Sequence, residues 1–198
     1  MVDDTDEALV TRYQRGDVAA FEALLDRHRQ GVFRFLRRFV GDAARADDLA
    51  QDCWMRFIGA APRWKASGSF KTWLYAVARN LATDAARRTA HRDHEPLERT
   101  AGRDGKEPAA GAPEGDVLLR AALERAIAAL PEDQREVFLL REYEGLSFAE
   151  VAEVTAALLP TVKSRMRYAL EALRRALDAA GEVPEAGAHR ATDRSARP

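Results

Sequence analysis

The amino-acid sequence predicts an all-α protein with two small helical domains joined by a flexible linker. Alanine, leucine, arginine and glutamate dominate, and the apolar–polar alternation typical of strands is absent. Large apolar residues recur at helical spacing in two stretches, which are separated by a segment rich in glycine and proline. With 198 residues and 46% apolar content, the chain can form one medium domain or two small ones.

Composition excludes several classes of protein. One cysteine, Cys53, cannot form an intramolecular disulfide, and the four histidines lack any metal-ligand spacing. The sequence contains no P-loop, no glycine-rich phosphate cradle and no nucleophile–base pair. We therefore expect a protein that is not an enzyme and that needs no cofactor, metal or small-molecule substrate.

The amino terminus and the hydropathy pattern indicate the compartment. MVDDTDEALV is acidic, whereas a secretory signal begins basic and continues apolar. No apolar run approaches the roughly 18 residues that a membrane span requires. The sequence thus predicts a cytoplasmic protein.

Three helices are predicted in the first domain, residues 1–90. The first follows the capping residue Asp17 and is interrupted by Gly31, so one long helix and two shorter ones are both compatible with the pattern. Its apolar positions are Phe21, Leu24, Leu25, His28, Val32, Leu36 and Phe39. The second runs from about Ala46 to Ile58 and the third from about Phe70 to Arg88, with a loop between them.

Residues 91–116 are predicted to be a flexible linker, since they hold four glycines, three prolines and almost no large apolar residue. A 26-residue tether of this kind has ends about 25–30 Å apart on average. The second domain covers residues 117–180, and residues 181–198 are predicted to be a disordered tail. Two domains on such a tether can contact separate sites on one long partner, such as DNA.

The second domain has the pattern of a helix-turn-helix. Pro131 suits the first position of a helix that stops at Glu144–Gly145, and Ser147–Glu150 is a capping box that opens a short helix. A longer basic helix follows from about Pro160 to Ala179, and in this motif the second helix enters the major groove. Its polar residues, available to solvent or DNA, are Thr161, Lys163, Ser164, Arg165, Arg167 and Tyr168. Ala156 occupies the turn position that usually holds glycine.

Two basic stretches are concealed by the net charge of −1. Residues 63–92 hold seven basic residues against one acid, and residues 159–175 hold five against one. An acidic stretch lies between the first two predicted helices, where residues 42–52 hold four acids against one arginine. Because phosphate contacts supply most nonspecific affinity for nucleic acid, one basic stretch per domain favours DNA as the partner.

Aromatic residues lie among the basic residues of the third helix and its preceding loop, a combination suited to single-stranded DNA. Trp54 and Phe70 are expected in the core, and Trp73 fits either role. The residues that fall away from the apolar stripe of the third helix are expected to form one polar, basic face: Lys71, Thr72, Tyr75, Arg79, Asn80 and Thr83.

Four stretches, in order, resemble the extracytoplasmic-function (ECF) group of sigma-70 factors. They are GDVAAFEALLDRH, DDLAQDCWMRF, SFKTWLYAVARNLATDAARR, and the pair LPEDQREVFLLREYEGLSFAEVAEV with TVKSRMRYALEALRR. Together they cover nearly all of residues 10–178 except the linker. The resemblance implies a sigma factor that directs promoter-specific transcription initiation, with the first domain as region two and the second as region four.

The resemblance also implies partners and contact residues. Region two would hold the opened −10 element, with a flipped base read by the loop 63–69, through Arg63, Lys65, Ser67, Ser69, Lys71, Thr72, Tyr75, Arg79 and Asn80. Region four would read the duplex −35 element through Thr161, Lys163, Ser164, Arg165, Arg167 and Tyr168. The second helix would dock on core RNA polymerase through Asp47, Asp48, Gln51, Asp52 and Met55. An anti-sigma factor is a further implied partner, and the linker would thread toward the polymerase active-site channel.

Two other hypotheses fit parts of the sequence. A free-standing helix-turn-helix regulator explains residues 117–178 but leaves the first domain without a role. A sigma-like decoy that binds an anti-sigma factor without opening promoters has no need of a basic, aromatic face.

Overall fold

The computed structural model describes residues 4–65, 68–92 and 114–181, and all regular elements within these ranges are helical. Eight α-helices are numbered here in chain order, with a 3-10 turn at Ala61–Arg63 and a π-helical turn at Leu139–Tyr143. Their bounds are α1 Asp6–Gln14, α2 Val18–Val40, α3 Ala43–Ala60, α4 Phe70–Arg92, α5 Glu114–Ala128, α6 Glu132–Phe138, α7 Phe148–Thr155 and α8 Leu159–Gly181. The all-α prediction is confirmed.

Helix α1 was not predicted from the sequence, although the sequence carries its start signal. The Thr5 hydroxyl caps it by accepting from the Ala8 amide at 3.2 Å, and Asp6 and Glu7 lie in its acidic first turn. Asp6 also fixes α1 to α2, because its carboxylate lies 2.6 Å from both His28 Nε2 and Arg27 Nη1. The short helix α1 is therefore stabilised by its contacts with α2 as well as by its N-cap.

Asp6 makes the contact between α1 and α2 sensitive to acid. Burial raises the pKa of Asp6, but the hydrogen bonds with His28 and Arg27 outweigh it and leave the pKa below its ordinary value of 3.8. The stabilisation is thus present above that ordinary value and is lost as pH falls through the lowered pKa. We expect Asp6→Asn to lower the free energy of unfolding by about 1–2 kcal/mol at pH 7, and by much less at pH 3.

Urea unfolding at the two pH values measures this difference. The exposed Asp26→Asn variant on α2 is the control, and we expect it to match the wild type at both. An equal loss for Asp6→Asn at pH 7 and pH 3 would contradict the role of its charge.

Helix α2 is one continuous helix, which settles the alternatives that Gly31 left open. Asp17 caps it as predicted, and Gly41 ends it in the left-handed conformation. Gly31 is needed for close approach: a Cβ there would lie 2.6 Å from the Tyr75 hydroxyl and 2.9 Å from the Glu144 carboxylate. Glycine stands in mid-helix because two side chains from elsewhere in the fold occupy the space.

An aromatic cluster forms the core of the amino-terminal unit, helices α1–α4. Phe57 is fully buried at its centre, and the expected core positions Trp54 and Phe70 are buried as well. Trp73 is partly buried and packs 5.9 Å from Phe57, between ring centroids, so it belongs mainly to this core. The rings around Phe57 come from α1, α2, α3 and α4.

The carboxy-terminal unit, helices α5–α8, contains the predicted helix-turn-helix. The Ser147–Glu150 capping box is confirmed, since the Ser147 hydroxyl accepts from the Glu150 amide at 3.2 Å and the Glu150 carboxylate accepts from the Ser147 amide at 2.8 Å. The prediction for Pro131 was wrong by one position. It is the extended N-cap of α6 (ψ 144°) and not its first helical residue.

Helix ends shift relative to the sequence predictions by a few residues. Helix α4 continues to Arg92, α5 begins at Glu114, and α8 ends at Gly181. The rest of the linker predicted at 91–116, and of the tail predicted at 181–198, lies outside the described residues. In the ranges that are described, none of the helices has the length and apolar character of a membrane span.

The two units pack against each other. Helix α4 lies against α7, and α2 contacts α6 and the π-helical turn. Arg38 of α2 reaches across to α5, where Nη2 donates to Glu124 at 2.8 Å, and its guanidinium stacks 4.2 Å from the centroid of the Tyr143 ring. The face of α4 that carries the predicted DNA contacts is therefore inside an interdomain contact.

Candidate nucleic-acid and polymerase interfaces

Helix α8 presents a basic surface opposite its buried stripe. Val162, Met166, Ala169 and Leu173 are buried against α5–α7. Lys163, Arg167 and Tyr168 are exposed, and Thr161 is partly buried at the start of the helix. The first turns of α8 thus offer cations where a helix-turn-helix contacts base edges and phosphates.

Two of the residues predicted to contact the −35 element are bonded to groups within the carboxy-terminal unit itself. Arg165 Nε lies 3.0 Å from Asp133 Oδ2 of α6, and the Ser164 hydroxyl donates to the carbonyls of Pro160 and Thr161 at 2.9 and 3.0 Å. The Arg167 guanidinium lies 4.9 Å from the Tyr168 ring centroid, over its face. Lys163, Arg167 and Tyr168 are therefore the predicted residues most open to a partner.

The turn before α8 is strained at Ala156. Its φ of 51° and ψ of 37° are left-handed, and it is the non-glycine residue with positive φ among those described. The Ala156 amide still donates to the Glu153 carbonyl at 3.3 Å, so the turn has the usual geometry with an unusual residue. Ala156 thus takes the left-handed conformation that glycine usually adopts in this turn.

Replacing Ala156 with glycine should relieve this strain. We expect Ala156→Gly to raise the free energy of unfolding by about 0.5–1 kcal/mol, because a residue without Cβ adopts positive φ at little cost. Urea unfolding measures the change. Ala176→Gly, at an exposed position inside α8, is the control and should instead lower stability by about 1 kcal/mol. A loss of stability in Ala156→Gly would show that the turn is unstrained.

Most of the predicted polar face of α4 is covered in this conformation. Thr72 and Tyr75 are buried, contrary to expectation, while Lys71, Arg79 and Thr83 are partly buried and Asn80 is exposed. Residues of the carboxy-terminal unit cover this face. The prediction for Tyr75 was wrong, because its ring packs 5.5 Å from Phe35 of α2, between centroids, and belongs to the core. Sequence periodicity also carried no information about a second domain packing on this face.

The loop before α4 is held in place by α1, a helix that was not predicted from the sequence. Gln14 Nε2 donates to the carbonyls of Ala61 and Trp64, both at 2.8 Å, and Glu7 Oε1 accepts from the Phe70 amide at 2.8 Å. Arg63 and Lys65 remain exposed, and Ser69 is partly buried with its hydroxyl accepting from the Thr72 amide at 3.4 Å. Ser67 lies outside the described residues. Gln14 and Glu7 therefore position the loop, and the capping pattern at Thr5 was the available signal.

Helix α3 has an exposed acidic face. Asp47, Asp48, Gln51, Asp52 and Met55 are all exposed on it, and Met55 retains 59% of its accessible surface. The opposite face packs on α2 and α4 and includes Cys53. Burial raises the pKa of the Cys53 thiol to about 12, so this cysteine is a protonated core residue. An exposed methionine on the same helix face as three aspartates suits a protein partner that combines basic groups with an apolar contact.

These features define a class of protein: a two-unit helical factor with a helix-turn-helix of the DNA-binding type in one unit and an exposed acidic helix face in the other. The sequence matches the family Sigma-70 region 2 over residues 24–92 and the family Sigma-70, region 4 over residues 120–173. The described residues contain no cluster of three or more metal-ligating side chains.

Comparison with known proteins gives relatives along nearly the whole chain. The chain is 32% identical over 188 residues to the RNA polymerase sigma-H factor of Pseudomonas aeruginosa, covering 89% of this chain and 96% of that protein. It is 34% identical over 181 residues to the ECF RNA polymerase sigma-E factor of Escherichia coli K12, covering 85% and 92%. The fold is similar to the sigma factor RpoE of Bartonella quintana, solved with the anti-sigma factor NepR, with a TM-score of 0.67, 22% identity and coverage of 80% and 96%.

The chain belongs to the ECF group of the sigma-70 family. It is a non-enzymatic RNA polymerase sigma factor that directs transcription initiation.

Proposed function

We propose that this sigma factor uses three separate faces during initiation. The acidic face of α3 docks on core RNA polymerase, the α4 face and its preceding loop hold the opened −10 element, and the start of α8 reads the duplex −35 element. In this assignment region two spans residues 1–90 and region four spans residues 117–180, with 91–116 as the linker and 181–198 as the tail. The observation that carries the proposal is the separation of an exposed acidic helix from an exposed basic reading helix.

The −35 contact is supported by the charge and exposure of α8. Lys163 and Arg167 are exposed, and within the described residues their closest ion pair is the 3.9 Å contact between Arg167 and Glu171. Cationic side chains at the start of a reading helix donate to guanine O6 and N7 or to phosphates. Thr161, Ser164 and Tyr168 add hydroxyl groups, and Arg165 can join the contact by exchanging Asp133 for a phosphate.

The −10 contact is supported by residues with two kinds of chemistry. Arg63 and Lys65 are exposed at the loop and Asn80 is exposed on α4. Ser67 and Ser69 belong to the same loop, while Lys71, Thr72, Tyr75 and Arg79 continue this surface along α4. Cations follow the phosphates of a single strand while aromatic rings stack on its bases, so this set suits melted DNA once the face is uncovered.

An anti-sigma factor is the proposed regulator, and the cytoplasm is the proposed site of action. The similar structure of RpoE was solved with its anti-sigma factor NepR. A protein of this family meets core polymerase and promoter DNA in one compartment, which in bacteria is the cytoplasm.

Run-off transcription with purified core polymerase on a library of promoter sequences tests the proposed function. We expect start sites that are absent with core enzyme alone and that share a −35 and a −10 element. A library without any start site above the core-alone background would overturn the proposal.

A further inference from the structure

Two adjacent leucines at the start of α8 face solvent. Leu158 immediately precedes the helix and retains 76% of its accessible surface, the highest value among the large apolar side chains in the described ranges. Leu159, the first residue of α8, retains 40%. This leucine pair adds little to the core, so an apolar contact for it has to come from a partner.

The backbone on both sides of the leucine pair is ordered. Before the pair, the Ala157 amide donates to the Ala152 carbonyl at 3.1 Å and closes the turn. After it, the Val162 amide donates to the Leu158 carbonyl at 3.0 Å and closes the first turn of α8. Because the backbone is already fixed, a partner that contacts the leucine pair has few main-chain conformations to restrict.

Leu159 is aligned with the exposed cations of α8. Positions four residues apart lie on one face of a helix, so Leu159, Lys163 and Arg167 form a single row. All three side chains are exposed. The row therefore begins with an apolar side chain and continues with two cations. It starts at the end of α8 that a helix-turn-helix places in the major groove.

Base edges in the major groove have chemistry that matches this row. Guanine presents the acceptors O6 and N7 to a cation, whereas thymine presents its C5-methyl group to an apolar side chain. One helical turn of about 5.4 Å separates Leu159 from Lys163, which corresponds to between one and two base-pair steps of about 3.4 Å. Phosphate oxygens, in contrast, offer no apolar surface. The order of side chains along the row thus fits a thymine close to the group that Lys163 contacts.

Resting on the proposed −35 contact, we propose that Leu158 and Leu159 are specificity-determining residues that contact thymine C5-methyl groups in the −35 element. Leu159 lies on the row with the cations, and Leu158 extends the apolar surface toward the turn. The leucine pair selects an A·T base pair beside the contacts of Lys163. Contacts to base edges carry sequence information, which contacts to phosphates do not.

A first experiment measures −35 selection with holoenzyme assembled from core polymerase and the full-length chain. Run-off transcripts from a promoter library randomised at −35 are sequenced for the wild type and for Leu158→Ala/Leu159→Ala. Leu118→Ala/Leu119→Ala is the matched control, because it removes the same apolar volume from another adjacent pair on α5, 70% and 59% exposed. Circular dichroism verifies the helix content of each protein.

We expect the wild type and the control to select an A·T pair at one or two −35 positions. The Leu158/Leu159 variant should lose that preference and keep its selection at the other −35 positions. A wild type without a preferred A·T pair, or equal selection by all three proteins, would overturn the leucine contact. Loss of selection at every −35 position in the variant would also overturn it, because that result indicates a displaced helix and not a lost methyl contact.

A second experiment removes only the methyl group. Each thymine of the selected −35 element is replaced in turn by uracil, and fluorescence anisotropy gives the affinity of the holoenzyme for each duplex. We expect one replacement to weaken binding by the wild type about three- to fivefold, the effect of losing one buried methyl group. The same replacement should leave binding by the Leu158/Leu159 variant unchanged. Equal weakening in both proteins would contradict a leucine–methyl contact.

Different results would refute the leucine contact and the proposed function. A wild-type holoenzyme that selects a −35 sequence but binds thymine and uracil duplexes equally refutes the leucine contact alone. If the leucine pair binds polymerase instead, its replacement lowers retention of core enzyme whatever the DNA, and this result also refutes the contact with thymine. A wild type that starts no transcription above core enzyme alone refutes the proposed function.

Discussion

The double charge reversal Asp48→Arg/Asp52→Arg is expected to abolish capture of core RNA polymerase. Both aspartates are exposed on the proposed docking face of α3, one helical turn apart, beside the exposed Met55. Reversal replaces two attractive contacts with two repulsive ones, and like charges facing each other across an interface cost several kcal/mol. We expect retention of core polymerase to fall at least a hundredfold, with a parallel loss of run-off transcript.

A pull-down with the tagged sigma factor measures this effect. Glu22→Arg/Asp26→Arg on α2 is the matched control, because it makes the same charge change at two other exposed acids of region two. We expect the control to capture polymerase at near wild-type levels and both variants to keep wild-type helix content. Undiminished capture by the α3 variant would rule out docking through this face. If the wild type captured no polymerase either, a free-standing DNA-binding regulator would be the better explanation.

We expect Phe57→Ala to lower the free energy of unfolding more than the other substitutions described above. The Phe57 ring is fully buried, and its centroid lies 5.0 Å from that of Phe70 and 5.9 Å from those of Tyr13 and Trp73. Removing a buried phenylalanine ring typically costs 3–5 kcal/mol, through lost burial and the cavity that remains. Since a small domain has only about 5–15 kcal/mol of stability, region two should be close to unfolding.

Urea denaturation followed by tryptophan fluorescence measures the loss, because Trp54, Trp64 and Trp73 all lie in region two. Ile58→Ala, at the next residue and 37% exposed, is the control and should cost about 1 kcal/mol or less. A Phe57→Ala variant that lost less than about 1.5 kcal/mol would mean that the aromatic cluster readily collapses into the space.

Local rules account for the predictions that the structure confirms. The Asp17 and Ser147 caps each depend on one side chain bonding an amide three residues ahead, so both are visible in the sequence. Motif spacing identified Ala156 as the residue at the usual glycine position of the turn, and the structure shows that its backbone is left-handed there. Exposure of the acidic face of α3 followed from the apolar stripe on its opposite side.

The errors and omissions have non-local causes. Helix α1 is too short for its pattern to stand out, and its docking depends on Asp6 meeting His28, 22 residues away. Gly31 is ambiguous as a helix interruption until the Tyr75 hydroxyl is known to lie beside it. Tyr75 and Thr72 were assigned to an open face because their partners are distant in sequence: Glu144 and Glu150 bond their hydroxyls, and Phe35 packs on the Tyr75 ring.

The sequence by itself determined that this protein is helical, that it has two domains of the sigma-70 type, and which residues carry its charge. These properties depend on periodicity, capping and motif order, all of which operate over a few residues. Only the tertiary structure decided that region four lies on the α4 face, pairing Glu136 with Arg79 and Glu144 with Tyr75. The reason is that a charged side chain has several possible partners, and only the packing of distant helices selects one.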